Sequence, residues 1–341
     1  MKTFRFLVFS LFLCIAIFAQ QIADPNFDAK VAHPAYAKSG PKVLFDEAHN
    51  NFHTASGRYK PFADLITNDG YQVTPNKEKF SAAILKGFGI LVISNALGAE
   101  RMNMPEASNP AFTDEECEAV RDWVKAGGAL LLIADHAPMG AANQSLAKRF
   151  GVDMRSAFTS DSANYDKETG NQSFIVYTRD NGLLMEHPIT KGRDANERIN
   201  RVITFTGQSI KGPEGSAVLL KLADTAKDVP PPSQADIQAA IEKARQGGGS
   251  QAQAPPGMNL PPGAAAVQVQ LPANAAISAA GRAQGIAFSF GKGRVVVLGE
   301  AAMLSAQLAG PNGMKFGMNR PGIDNRQLAL NIVHWLSGLL K

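Results

Sequence analysis

Two cysteines, Cys14 and Cys117, occur in 341 residues. Cys14 falls inside an N-terminal apolar run, which leaves Cys117 alone, so the rest of the chain has no internal disulfide and must be stabilised by a packed core. Blocks of like charge are missing too. The formal net charge of +4 includes Lys2 and Arg5, which leaves the remainder near neutral. Without a basic stripe to meet a phosphate backbone, nucleic acid is not an expected partner. No second long apolar run follows the first, so no membrane span is expected.

The apolar run that is present, Phe6 to Phe18, follows the two positive charges of Met1-Lys2-Thr3-Phe4-Arg5 and precedes Ala19 and Gln20-Gln21. It is shorter than the roughly 20 residues of a membrane helix. A charged start, a short apolar centre and a small residue at its end read as a cleavable signal peptide over residues 1–19, and hence export to the periplasm or medium. Leu13 stands where a lipoprotein signal wants a small residue before Cys14, so a lipid anchor is the minor reading. The mature chain then divides into a polar leader, 20–40, and a single α/β domain, 41–341.

Within that domain, apolar runs alternate with helical patterns. Pro41 to Phe45, Tyr71 to Val73, Gly89 to Ile93 and Ala129 to Ile133 read as strands, and the last two are apolar on both faces, as strands covered on both sides must be. Between them lie helical spacings at Arg58 to Asn68, at Phe80 to Leu85, and at a capping-box start, Thr113-Asp114-Glu115-Glu116. Asn143 to Phe150 continues the pattern. Strand–helix alternation of this kind predicts βαβ units and a doubly wound, mostly parallel, flavodoxin-like sheet. Phe174 to Tyr177 and Val202 to Phe205 are candidate added strands. Gly285 to Phe290 and Arg294 to Leu298, joined by Gly291-Lys292-Gly293, predict a late β-hairpin. A final helix is capped by Asp324 and carries Leu328, Ile332, Val333 and Leu336. From 228 to 274 the composition turns to Pro, Gly, Ala and Gln. Too little apolar surface is available there to offset the entropy of ordering, so a disordered insertion is expected.

In an open parallel sheet, ligands bind outside the carboxyl ends of the strands. That rule selects Asp46, Glu47, His49, Asn50 and His53 after the first strand, Asn95 after the third, Asp135 and His136 after the fourth, and Glu300 after the hairpin. The catalytic candidates are Asp46, His49, Asp135, His136 and Glu300, with Glu47, Asn50, His53 and Asn95 as ligand-binding candidates. His49, His53, Asp135, His136 and Glu300 are also side-chain types that hold a zinc-like divalent ion, whose bound water could act as nucleophile. A metal-free alternative is acid/base chemistry by a carboxylate-oriented histidine. The structural alternative is that the acids brace loops and His136 is an ordinary buried histidine. His187, beside Pro188, reads as a turn element, His334 as a packing or surface residue, Cys117 as a small buried residue. Gly291-x-Gly293 has no helix after it to cradle a phosphate.

The strand order, the strand–turn–helix at Leu130 to Ala142, His187-Pro188-Ile189-Thr190 and the ending Gly293 to Glu300 together resemble the class I glutamine amidotransferase-like superfamily. The likeness is to its exported branches and to the related domain of gliding-motility and intraflagellar-transport proteins. The resemblance covers roughly 42–150 and 285–339. It implies the fold, and a nucleophilic cysteine at the turn after the fourth strand. Here that turn reads Asp135-His136-Ala137-Pro138-Met139-Gly140, so thioester chemistry on glutamine is not expected. Two readings stay open: an exported hydrolase-like enzyme for a small polar substrate such as a sugar or amide, and a non-catalytic ligand-binding module of the cell envelope that uses the same pocket.

Overall fold

The computed structural model describes residues 21–37, 39–233, 236, 275–310 and 312–341. Residues 1–19 and most of the expected insertion therefore lie outside the described residues. In chain order the elements are β1 (Ile22–Ala23), β2 (Lys42–Asp46), α1 (Lys60–Asn68), β3 (Gln72–Asn76), α2 (Ala82–Leu85), β4 (Ile90–Ser94), α3 (Asp114–Lys125), β5 (Ala129–Ile133), α4 (Met139–Arg149), β6 (Asp153–Met154) and β7 (Phe158–Asp161). They continue with β8 (Val176–Thr178), α5 (Pro188–Lys191), β9 (Arg201–Ile203), β10 (Ile210–Lys211), β11 (Ala217–Lys221), β12 (Ala226–Val229), β13 (Ile277–Ser278), β14 (Ala283–Phe290), β15 (Gly293–Leu298), β16 (Ala306–Ala309), β17 (Met314–Gly317) and α6 (Asn325–Leu336).

Nine strands form the main sheet, in the order β3-β2-β4-β5-β15-β14-β10-β6 with β11 also paired to β14. The pairings among β3, β2, β4, β5 and β15 are parallel, whereas those made by β14, β10, β11 and β6 are antiparallel. The sheet is thus mixed rather than mostly parallel. The hairpin causes this: Gly291 turns the chain at φ +59°, so β14 and β15 run opposite ways while β15 continues the parallel half.

Side chains alternate across the strands, and the alternation separates two cores. Val43, Phe45, Ile90, Val92, Leu131 and Ile133 pack with Phe62, Leu65 and Ile66 of α1 and Leu328, Ile332 and Val333 of α6. Leu44, Leu91, Ile93, Leu130 and Leu132 face the other way, onto Val120 and Val124 of α3 and Leu146 of α4. The expected helix starts form: in α3 the Thr113 hydroxyl accepts from the Glu116 amide, and Glu116 reaches back to the Thr113 amide. Asp324 sits at the start of α6, but its carboxylate instead accepts from the amides of Asn200 and Arg201. Among the described residues no helix is long and apolar enough to cross a membrane.

Two boundaries shift. Asp228 and Val229, read as the start of the insertion, instead close β12, which pairs with β7 and β13. Asp228 is fully buried and accepts from Thr159, Ser209 and Arg155, so a charged residue in a Pro-rich context is ordered by its partners. In the leader, β1 pairs with β16, and β16 with β17, in a small sheet of their own. The candidate strands at 174 and 202 also pair with each other, as β8 and β9.

Candidate functional site

Because β2, β4, β5 and β15 run parallel, Asp46, Ser94, Asp135 and Glu300 stand at or just beyond the same sheet edge. The expected residues do not, however, meet in one pocket. They form a closed cluster and a cleft.

The closed cluster is Asp46, His49 and Glu116. His49 is 4 % exposed; its Nδ1 lies 2.9 Å from both Asp46 carboxylate oxygens and its Nε2 lies 2.8 Å from Glu116 Oε1. Both ring nitrogens are spent. Phe80 and Phe112 cover the ring, each 4.7 Å away between centroids. Burial disfavours the charged imidazole, but the hydrogen bonds and charges of Asp46 and Glu116 outweigh it, and the His49 pKa is raised. Glu116 also feels burial first, and its bonds from Thr113, His49 and Phe80 nevertheless hold its pKa below the usual range. Asp46 and His49 are therefore not where a substrate could reach them. Glu47 and Asn50 are likewise braces: Glu47 Oε1 accepts from the Ala55 amide at 2.9 Å, and Asn50, at φ +48°, donates to the Leu97 carbonyl at 3.4 Å.

The cleft holds the other candidates. Gln21, Phe52, His53, Asn95, Asp135, His136, Met139, Phe205, Ala302, Gln307 and Phe316 line it, with about 20 Å³ of interior room, enough for about one water. His53 stacks on the fully buried Tyr59, with ring centroids 4.6 Å apart, and its Nδ1 lies 3.3 Å from both Ser94 Oγ and Asn95 Nδ2. Burial, followed by the charge of Arg58, pushes its pKa down to about 3, so the ring is neutral at ordinary pH. Asn95 takes φ +50° and its Oδ1 accepts from the Asp135 amide at 2.9 Å. His136 stacks on Phe158 and donates from Nδ1 to the Ala137 carbonyl at 2.7 Å.

Asp135, 8 % exposed, carries the cleft's formal negative charge. Its Oδ1 accepts from the His136 amide at 2.8 Å. Glu300, 0 % exposed, accepts from the amides of Ala302 and Met303 at 2.7 and 2.8 Å. Burial pushes both pKa values up; Glu300 is raised well above the carboxylate range, with repulsion from Asp135 adding to the effect. One negative charge at this floor disfavours the second.

Several residues that hold the site carried no sequence signal. Gln208 donates through Nε2 to the carbonyls of Ala134 and Asp135, both at 2.9 Å, and so clamps the turn after β5. A Cβ at Gly140 would lie 2.5 Å from that carboxamide, which explains the glycine. Tyr59 donates to the Ala301 carbonyl at 2.5 Å. Thr206, a β-branched residue at φ +76°, follows the cleft-lining Phe205. The capping-box motif located Glu116, but nothing in sequence joined it to His49, 67 residues away. Among the described residues no group of three or more His, Cys, Asp or Glu side chains is arranged to hold a metal ion, so His49, His53, Asp135, His136 and Glu300 do not form the expected ligand set. Outside the site, His334 Nε2 bonds Asp69 at 2.7 Å and is buried, His187 caps α5, and Cys117 is buried.

No family model matches the chain, and neither does any curated protein. Solved structures do. The mmIFT52 N-terminal domain superposes with a TM-score of 0.53 at 10 % identity, covering 86 % of this chain and 97 % of that one. A ThuA-like protein from Parabacteroides merdae gives 0.41 at 11 % identity over 88 % and 90 %, and one from Bacteroides uniformis 0.38 at 12 % over 90 % and 93 %. The first of these likenesses shows a shared fold, a mixed α/β architecture, at an identity that says nothing of activity.

Proposed function

We propose that the protein is a non-catalytic ligand-binding module, exported as its N-terminus suggests, that holds a small polar ligand in the Asp135 cleft of a doubly wound, flavodoxin-like frame. One observation carries this reading: the acids at the cleft are fixed by backbone amides, Asp135 by His136 and Glu300 by Ala302 and Met303. Such bonds orient a carboxylate and hold it still, which suits recognition. A hydrolase-like reading of the same residues asks for a carboxylate-bonded histidine facing the substrate. Here His49, bonded to Asp46 and Glu116, is enclosed, whereas cleft-lining His53 is neutral and bonds Ser94 and Asn95. A thermal-shift screen of the mature protein against sugars, amides, amines and short peptides, with the same mixtures followed by proton NMR, tests the proposal. Stabilisation by a ligand that stays unchanged over days is expected; steady conversion of a stabilising ligand would contradict it.

A further inference from the structure

From the lining of the cleft we infer that its ligand presents a primary ammonium group, seated between Asp135 and Gln307. The inference rests on the binding reading above and names the chemistry of its ligand. Three observations support it. The first is charge: among the described residues no lysine or arginine lines the cleft, while Asp135 does, and the buried Glu300 adds repulsion to it. Arg58 stacks on Phe52 at 4.0 Å and donates through Nε to the Gln21 carbonyl at 3.1 Å.

The second observation is an acceptor without a donor. Gln307 is 1 % exposed and lines the cleft, yet its Oε1 has no hydrogen-bond partner. The Ser305 hydroxyl donates to the Ala302 carbonyl at 2.8 Å and accepts from Gln307 Nε2 at 2.7 Å, which leaves Oε1 as the atom without a partner. A buried acceptor left this way carries a desolvation penalty that a ligand N–H would remove. The third is size. Interior room of about 20 Å³ fits one water-sized group, and an ammonium is that size, whereas a sugar ring is several times larger and would stop at the rim. An ammonium offers three donors, a positive charge for Asp135 and a face for the surrounding rings, Phe52, Phe205 and Phe316.

Proton linkage follows. The titratable groups that face Asp135 are Glu300, Tyr59 and the His136 ring, with Arg58 acting on the neighbouring His53. A cation seated beside Asp135 favours the ionised pair, so binding should release a proton and tighten as pH rises above the ordinary carboxylate range, while an alkylamine of ordinary pKa near 10 stays charged.

The test is calorimetric titration of the mature protein with matched probes: propylamine against propanol, and butylamine against butanol, with potassium chloride and ammonium chloride as ionic controls. The amines should bind at least tenfold tighter than the matched alcohols, release a proton in buffers of different ionisation heat, and lose about tenfold or more in Asp135→Asn. Gln307→Met, which removes the acceptor and leaves the carboxylate, should weaken amines by a smaller factor and give a second reading should Asp135→Asn fail to fold. Equal or tighter binding of the neutral partners overturns the ammonium assignment and leaves the binding module standing. Binding by neither series overturns both. Equal heats from potassium chloride would make this a simple cation site and also overturn the assignment.

Discussion

Two pairs of acids are buried at the same sheet edge, and they are resolved in opposite ways. Asp46 and Glu116 share His49, which bonds both, so the cluster is complete within the protein. Asp135 and Glu300 are held by backbone amides and the Asn95 carboxamide, and each still ionises with difficulty. The first arrangement satisfies its charges when the chain folds. The second leaves an excess that a proton or a ligand cation must offset. Proximity to the carboxyl edge does not by itself make a residue functional, and the useful distinction is whether its partners are already inside the fold.

The largest expected effect comes from breaking the closed cluster. His49→Ala removes the cation and leaves Asp46 and Glu116 buried without it, which should cost about 3–5 kcal/mol in urea denaturation at neutral pH. A loss under about 1 kcal/mol would mean that the ring is dispensable. The pH profile of the wild type sharpens the same point. The raised His49 pKa gives stability that is full below its unfolded value near 6.5 and is lost as pH climbs through the folded value. The lowered Glu116 pKa gives stability present above the ordinary carboxylate range and lost as pH falls through its folded value. The cluster should therefore contribute most in the weakly acidic window, and a His49→Gln variant should lack the alkaline decline.

Asp135→Asn should behave in the opposite way. The raised carboxyls bind protons that the unfolded chain releases, so their cost is absent in acid and grows as pH rises above the usual carboxylate range. Removing one charge should leave stability within about 0.5 kcal/mol at pH 5 and hold or raise it at pH 8. If the variant loses about 1 kcal/mol or more at pH 8, Asp135 is a loop brace of the same kind as Glu47. The smallest effect is at Thr206. Its φ of +76° strains a β-branched residue, so Thr206→Gly should gain up to about 1 kcal/mol in the same assay, after the entropy of the added glycine is subtracted. A clear loss would assign the Thr206 side chain a contact role.

Much of the parallel half of the sheet was legible in sequence because its strands are short apolar runs ended by polar turns: the run Ala129 to Ile133 is β5 itself. The late hairpin was legible from Gly291 and Gly293. What could not be read was direction beyond that hairpin, since β10, β11 and β6 carry little pattern of their own and are placed by pairing with β14 and with each other. At the site, topology located Asp135, His136, Asn95 and His53 at the cleft, and the same rule gathered in Asp46 and His49, whose fate depends on Glu116 from a distant helix. A burial partner contributed across 67 residues leaves no local trace. Gln307 was missed for the same reason, its importance lying in one acceptor without a donor.

The account turns on which acids are satisfied within the fold. Carbon-13 titration of the side-chain carboxyls, assigned with Asp135→Asn and Glu116→Gln, reads this directly. Asp135 and Glu300 should ionise above the ordinary values of about 3.9 and 4.3, Glu116 below its own, and Glu300 should move down when Asp135 is neutralised. If Glu300 titrates at or below Glu116 and ignores the change at Asp135, the cleft floor is as complete as the His49 cluster, and the case for a binding site there is contradicted.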